Sequence, residues 1–184
     1  MPLEMPILPA MRAARIAAGV LAAVALAVPV ATAAPRRPAV ALTPLETGVL
    51  ADINAFRRSH HLVPLKLNVR LSAAAQAHTV QMARDGYFAH ESADGSSFWQ
   101  RIRSFYSASP WAYWSVGENL LWSSPDVSPA RALKMWLASP EHRANLMNPR
   151  WREIGLAALH VAAAPGVFKG LDVTIVTTDF GVRR

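Results

Sequence analysis

At Ile154 the spacing of apolar residues changes, and that change limits the folds open to this chain. Upstream, apolar side chains recur at helical intervals behind strong helix starts; downstream, they alternate. Ile154, Leu156 and Ala158 lead to His160 on one face, with Ala157, Leu159 and Val161 on the other. Pro165-Gly166 marks a turn, and the stretch from Leu171 to Thr178 is rich in β-branched residues. An antiparallel hairpin therefore follows a run of helices. That order predicts an α+β domain with helices stacked on a small sheet.

The helical part is well punctuated. Thr43-Pro44-Leu45-Glu46 is a capping box with proline at the first helical position, and Leu45, Val49, Ile53 and Phe56 form the buried stripe behind it. That helix fades at Ser59-His60-His61, an exposed histidine pair beside a loop. Asn68 starts a second helix that ends at Gly86, with Leu71, Ala74, Ala75, His78 and Met82 facing inward. His78 reads as a satisfied core histidine. Asp94-Gly95 makes a turn, and Ser96 or Ser97 starts a short helix carrying Phe98, Trp99 and Ile102. The stretch from Ser104 to Ser115 reads as aromatic and irregular, and Gly117-Glu118-Asn119 as a turn. Ser128-Pro129 and Ser139-Pro140 begin two further helices. Trp136 and Trp99, at helical positions, read as core, and the last helix ends by Asn148-Pro149.

The N-terminus has a different character. Arg12 and Arg15 precede an apolar run from Ile16 to Val28, then small residues through Ala34. That is the pattern of a secretory leader with an Ala31-Thr32-Ala33 cleavage site. The 19 residues from Ile16 to Ala34 are also just long enough for a membrane anchor, although their alanine richness and Pro29 argue against one. Residues 1–33 are thus expected to be a leader, 34–43 a linker and 44–184 the folded domain. The chain has no cysteine, so an exported domain would rest on its core alone, outside the disulfide-stapled secreted classes. Lys and Arg number 19 against 12 Asp and Glu, but they are scattered, the Arg57-Arg58 pair included. Such a spread reads as solvated surface, and no motif indicates nucleic acid as a partner.

Ser139-Pro140-Glu141-His142-Arg143-Ala144-Asn145 is the stretch most suggestive of a site. Ser139 reads as an N-cap whose hydroxyl accepts from a free backbone N–H. His142 then falls in the first turn, where the helix dipole disfavours an imidazolium and leaves a neutral ligand-capable ring. Tyr87-Phe88-Ala89-His90 and Gly117-Glu118-Asn119-Leu120 are its candidate companions. Two imidazoles, one carboxylate and a water would make an open shell for zinc. The other reading has Glu118 hydrogen-bonding buried backbone near Gly117, with the histidines packed around it. Asn119 equally suits local backbone support, and Arg143 a surface ion pair.

Phe88-Ala89-His90, Gly117-Glu118-Asn119-Leu120, Trp136, the stretch Ser139 to Pro149, Ile154-Gly155 and Asp179-Phe180-Gly181 occur in an order that resembles the CAP superfamily. That family takes in cysteine-rich secretory proteins, antigen 5 and pathogenesis-related 1 proteins, and the likeness here is to its bacterial, cysteine-free branch. It covers Leu45 to Gly181. The resemblance implies an α-β-α sandwich with a small antiparallel sheet between helices. It also implies a cleft of two histidines and two acidic residues, which in some members binds zinc or another divalent cation. Matched by motif, His90, Glu118 and His142 would be metal ligands, with Glu141, Asn119 and Asp179 lining the cleft. Glu141 or Asp179 is the candidate for the second carboxylate.

Three functions are compatible with this. The first is a secreted, non-enzymatic or weakly enzymatic domain whose cleft takes a divalent ion and an envelope, lipid or host-derived ligand. The second is a metal-dependent hydrolase or peptidase with a zinc-bound water and Glu118 as general base. The third is an extracellular interaction scaffold. A monomer or a weak dimer is expected. If the leader is cleaved as read, intact-mass measurement of exported protein gives a chain beginning at Ala34; secreted material beginning before Ile16 would contradict it.

Overall fold

The computed structural model describes residues 41–184; the expected leader and most of the expected linker lie outside the described residues. Thr43 opens helix α1 (Pro44–Ser59) through a complete capping box. Its hydroxyl accepts from the Glu46 amide at 3.2 Å, and the Glu46 carboxylate accepts from the Thr43 amide at 2.7 Å. A short strand, β1 (Lys66–Leu67), leads to α2 (Val69–Asp85), which Asn68 caps. Gly86 ends α2 in the left-handed conformation at φ 68°. There follow α3 (Phe98–Phe105), β2 (Trp114–Ser123), α4 (Pro129–Leu137), α5 (Pro140–Met147), β3 (Glu153–Ala164) and β4 (Leu171–Arg183). No helix among the described residues is long and apolar enough to cross a membrane.

The strands form one mixed sheet in the order β1-β3-β4-β2. The hairpin read from the alternating pattern is its middle pair, β3 antiparallel to β4. The short β1 adds to β3 in parallel. The fourth strand departs from the sequence reading: the segment taken as irregular and then turning is β2, continuous through Gly117, Glu118 and Asn119. Those residues have little intrinsic β preference. What holds them extended is β4, which pairs with all of β2 from Trp114 opposite Arg183 to Ser123 opposite Thr174.

Helices cover both faces, giving the α-β-α sandwich. On one side α1, α4 and α5 bury Val49, Ile53, Trp136 and Leu146 against Ile154, Val176 and Phe180. On the other, α2 and α3 bury Leu71, Ala74, Met82 and Ile102 over the remaining sheet face. A Cβ at Gly155 would lie 2.1 Å from the Leu71 carbonyl carbon, so only glycine lets α2 rest this closely on β3. Trp136 is core, as its spacing implies. Trp99 is not: it is 42% exposed, because α3 turns the row Phe98, Ile102 and Phe105 inward and Trp99 stands off it.

Arg57 is a second departure. Read as solvated surface, it is fully buried. Its guanidinium donates to the carbonyls of Val63 at 3.0 Å, Leu146 at 2.8 Å and Asn148 at 3.1 Å. It thereby ties α1 to the loop after it and to the end of α5. Burial, and secondarily the charge of Arg152, hold its pKa below the ordinary value. Replacing it with alanine strands buried carbonyls at a cost of about 3 kcal/mol. Thermal unfolding of Arg57→Ala is therefore expected about 10 °C below the parent, with the exposed Arg58→Ala almost unchanged. Equal melting temperatures for the two variants would contradict this role.

Candidate functional site

The site gathers at β2, the outer strand of the sheet opposite β1. Successive side chains of a strand point to opposite faces. Glu118 points to the side covered by α2 and α3, and Asn119 to the side covered by α5. The Asn119 amide donates to the His142 carbonyl at 3.0 Å. The Asn145 amide donates to the Asn119 side-chain oxygen at 2.9 Å and to the Glu118 carbonyl at 3.0 Å. One turn of α5 is thus fixed to the strand beside it, and the Trp136 indole closes the same edge by donating to the Leu120 carbonyl at 3.0 Å. A Cβ at Gly117 would stand 2.9 Å from the Asn145 side chain and 2.9 Å from the Trp151 ring, so the glycine admits α5 here.

His142 falls in the first turn of α5, behind Pro140. Ser139 occupies the N-cap position, but its hydroxyl donates to Glu141 at 3.1 Å and makes no capping bond to the backbone. Burial first, and then the charge of His90, hold the His142 pKa below its ordinary value. That is the direction its helix position predicts, with a different main cause. His90 comes from the loop after α2, which is held from two sides. His78 binds the Ala89 carbonyl through Nε2 at 2.9 Å, and Arg101 donates to the His90 carbonyl at 3.1 Å and to the Ser92 hydroxyl at 2.9 Å. The His90 and His142 rings then stand 6.4 Å apart, centroid to centroid, at 48°.

Glu118 is the centre of the arrangement, and its side chain has no solvent exposure. One oxygen accepts from His90 Nδ1 at 2.8 Å, and the other holds the Arg101 guanidinium in a close ion pair. The bond to Glu118 is the main reason the His90 pKa lies above its ordinary value. It also fixes Nδ1 as a donor, on a ring that is half-exposed. Asp179 is the direct cross-strand partner of Glu118 and is completely buried. Neither of its oxygens meets a donor among the described residues. Burial, and then the neighbouring Glu118 charge, raise its pKa well above the carboxylate range, against the pull of Arg101. Two adjacent buried carboxyls cannot both ionise without strong mutual repulsion, which is the physical sense of that shift.

Of the residues singled out in the sequence, the fold brings together His90, Glu118, His142, Asn119 and Asp179. Glu141 is exposed and accepts from Ser139, away from Glu118. Arg143 is exposed and makes no ion pair among the described residues. Sequence reasoning missed Arg101, Asn145 and the anchoring part played by His78. The signal for Arg101 was present: it lies three residues after Phe98 and next to Ile102, on the edge of the buried stripe of α3.

This arrangement does not fit a divalent metal. Among the described residues no three His, Asp or Glu side chains are grouped as a metal ion requires. Glu118 already faces a guanidinium, whose charge would repel a doubly charged ion bound at the same carboxylate. The cation that balances Glu118 is part of the chain. A pH dependence follows from Asp179. With its folded pKa raised, its contribution to stability is complete below the ordinary carboxylate range and is lost as pH rises through the folded value. Asp179→Asn stays neutral, so its melting temperature is expected to overtake the parent's increasingly from pH 5 to pH 9. Parallel curves over that range would show Asp179 ionised in the fold.

Residues 50–170 match the Cysteine-rich secretory protein family, CAP. The uncharacterized protein YkwD of Bacillus subtilis is 32% identical over 111 residues, which span 60% of this chain and 41% of that relative. The chain thus covers less than half of the relative it matches. Among solved structures, an extracellular protein containing a SCP domain from Bacillus anthracis is 25% identical with a TM-score of 0.55, covering 78% of this chain and 45% of that one. An outer surface protein from Borrelia burgdorferi shares the fold at 20% identity, with a TM-score of 0.56 over 74% of this chain and 90% of its own. With its motifs, its sandwich and a match over most of the described residues, this chain belongs to the CAP, or cysteine-rich secretory protein, family.

Proposed function

We propose that this chain is an exported binding domain for a single-chain lipid, and that its polar cleft is a fixed, metal-free support and not a hydrolytic centre. The observation that carries the reading is a groove of about 560 Å³ between α1 and α4. Ala55, Phe56, Ala130, Leu133 and Leu137 line it with Asp52 and Ser59, and Lys134 stands among them as the one cation for an acidic headgroup. That volume lies within the range of small-molecule sites. Burying ten methylenes there would contribute on the order of 8 kcal/mol before the costs of association. Export rests on the leader pattern at 1–33 and on the extracellular character of the relatives.

A hydrolase reading has one observation in its favour: His90, held by buried Glu118, stands 6.4 Å from His142, whose pKa is lowered. Glu118 itself is no general base for a substrate, because it is enclosed and bonded through both oxygens. An enzyme built here would use the imidazoles without a metal.

The test is displacement of a fluorescent fatty acid by palmitate, with zinc titration calorimetry alongside. The parent is expected to bind palmitate saturably, and Leu133→Trp, which fills the groove, to weaken it at least 10-fold without unfolding the domain. Absence of displacement in the folded parent would overturn the lipid reading. Saturable zinc binding that is weakened by His90→Ala, Glu118→Gln and His142→Ala would overturn the metal-free one.

A further inference from the structure

A second pocket, of about 460 Å³, lies where β1 and β3 begin and β4 ends. Val63, Pro64, Lys66, Trp111, Arg152 and Arg183 line it. It is separate from the lipid groove and does not depend on that reading. Its composition is unusual for a solvated surface: three cations surround one exposed indole, with Trp111 45% accessible.

Two of the three cations are held in place. The Arg183 guanidinium stacks 4.1 Å from the centre of the Tyr106 ring and 5.3 Å from that of Trp111. Arg152 donates to the carbonyls of Pro149 at 2.7 Å, Arg150 at 3.2 Å and Trp151 at 2.8 Å. Lys66 is exposed on the short outer strand β1. The acidic side chain at the pocket, Glu153, is already engaged. It accepts from Asn68 at 2.6 Å and from the Tyr106 hydroxyl, and Arg183 lies 3.9 Å away. The pocket therefore offers a net positive field and a flat apolar platform. Its free side-chain groups are donors.

We propose that this pocket binds an acidic glycan, with a sugar ring laid on Trp111 and its carboxylate or phosphate among Lys66, Arg152 and Arg183. The anion follows from the charge, since ordered guanidinium groups are suited to carboxylate and phosphate. The ring follows from the platform and from the apolar Val63-Pro64 rim. A sugar follows from the indole: the C–H face of the ring can lie on Trp111 while hydroxyl and ring oxygens accept from the neighbouring cations.

The test is titration calorimetry of the full chain with trigalacturonate, glucose 1-phosphate, maltotriose and AMP. At least one of the two acidic sugars is expected to bind saturably, and which one does identifies the carboxylate or the phosphate as the recognised group. Binding should weaken at least 10-fold in Trp111→Ala, in the doubly substituted Lys66→Glu, Arg152→Glu chain, and on raising salt from 50 to 500 mM. Arg131→Glu changes the same charge on exposed α4 and should leave binding within twofold. Trp111 and Lys66 are exposed; Arg152 also holds three carbonyls, so melting temperatures are read beside each titration, and Lys66→Glu alone, which breaks none of those bonds and should also weaken binding, separates lost binding from lost fold. The proposal is overturned if neither acidic sugar binds, if maltotriose or AMP binds as tightly, or if Trp111→Ala or the double charge reversal binds like the parent.

Discussion

A carboxylate sealed from water must find its countercharge inside the protein, and at Glu118 that requirement organises the centre of the domain. Burial of an ion pair is costly unless both partners are well bonded, and loss of one partner leaves an uncompensated charge worth about 3–5 kcal/mol. Glu118 meets Arg101 on one oxygen and His90 on the other, while burial and that same charge raise the pKa of its cross-strand neighbour Asp179. Three separate parts of the chain are thereby committed to one geometry: the loop after α2, the helix α3, and the strand pair β2 and β4. The same commitment decides the chemistry. With both oxygens already bonded, Glu118 is held as a fixed part of the framework.

The opposite face of β2 solves a different problem. An edge strand exposes backbone groups that invite pairing with another chain. Here Asn145 and Trp136 occupy the carbonyls of Glu118 and Leu120, and Asn119 donates in turn to the His142 carbonyl of α5. Gly117 makes the approach possible by leaving out a side chain where Asn145 and Trp151 press in. Each residue of Gly117-Glu118-Asn119 therefore has its own mechanical reason. None of the three is a strand former, and together they form the part of the strand around which the cleft is assembled.

These interactions explain where the sequence could be read and where it misled. Thr43 with Glu46, Asn68, Gly86 and Ser128-Pro129 act within a turn or two of themselves, so their helix boundaries were legible. The alternation after Ile154 announced the hairpin for the same local reason. The strand at 114–123 was illegible, because its conformation comes from pairing with β4 and not from its own residues. Trp99 and Arg57 misled in opposite directions. An aromatic at a helical position turned out exposed because the axis of α3 presents a neighbouring row, and a cation in a basic pair was buried because three carbonyls from elsewhere enclose it.

Taken alone, the sequence determined the order of helices and strands, the capping of most helices, the absence of disulfide support, and the identity of most residues that meet at the cleft. Those features depend on periodicity, side-chain chemistry and contacts a few residues apart. The tertiary structure decided which charge neutralises Glu118, that Asp179 rather than Glu141 is the second buried carboxyl, and where open grooves remain. Arg101 is 17 residues from Glu118 and His90 is 28, separations with no local signature. Only after both faces of the sheet are covered does a carboxylate acquire a particular partner, because desolvation and proximity are properties of the packed domain.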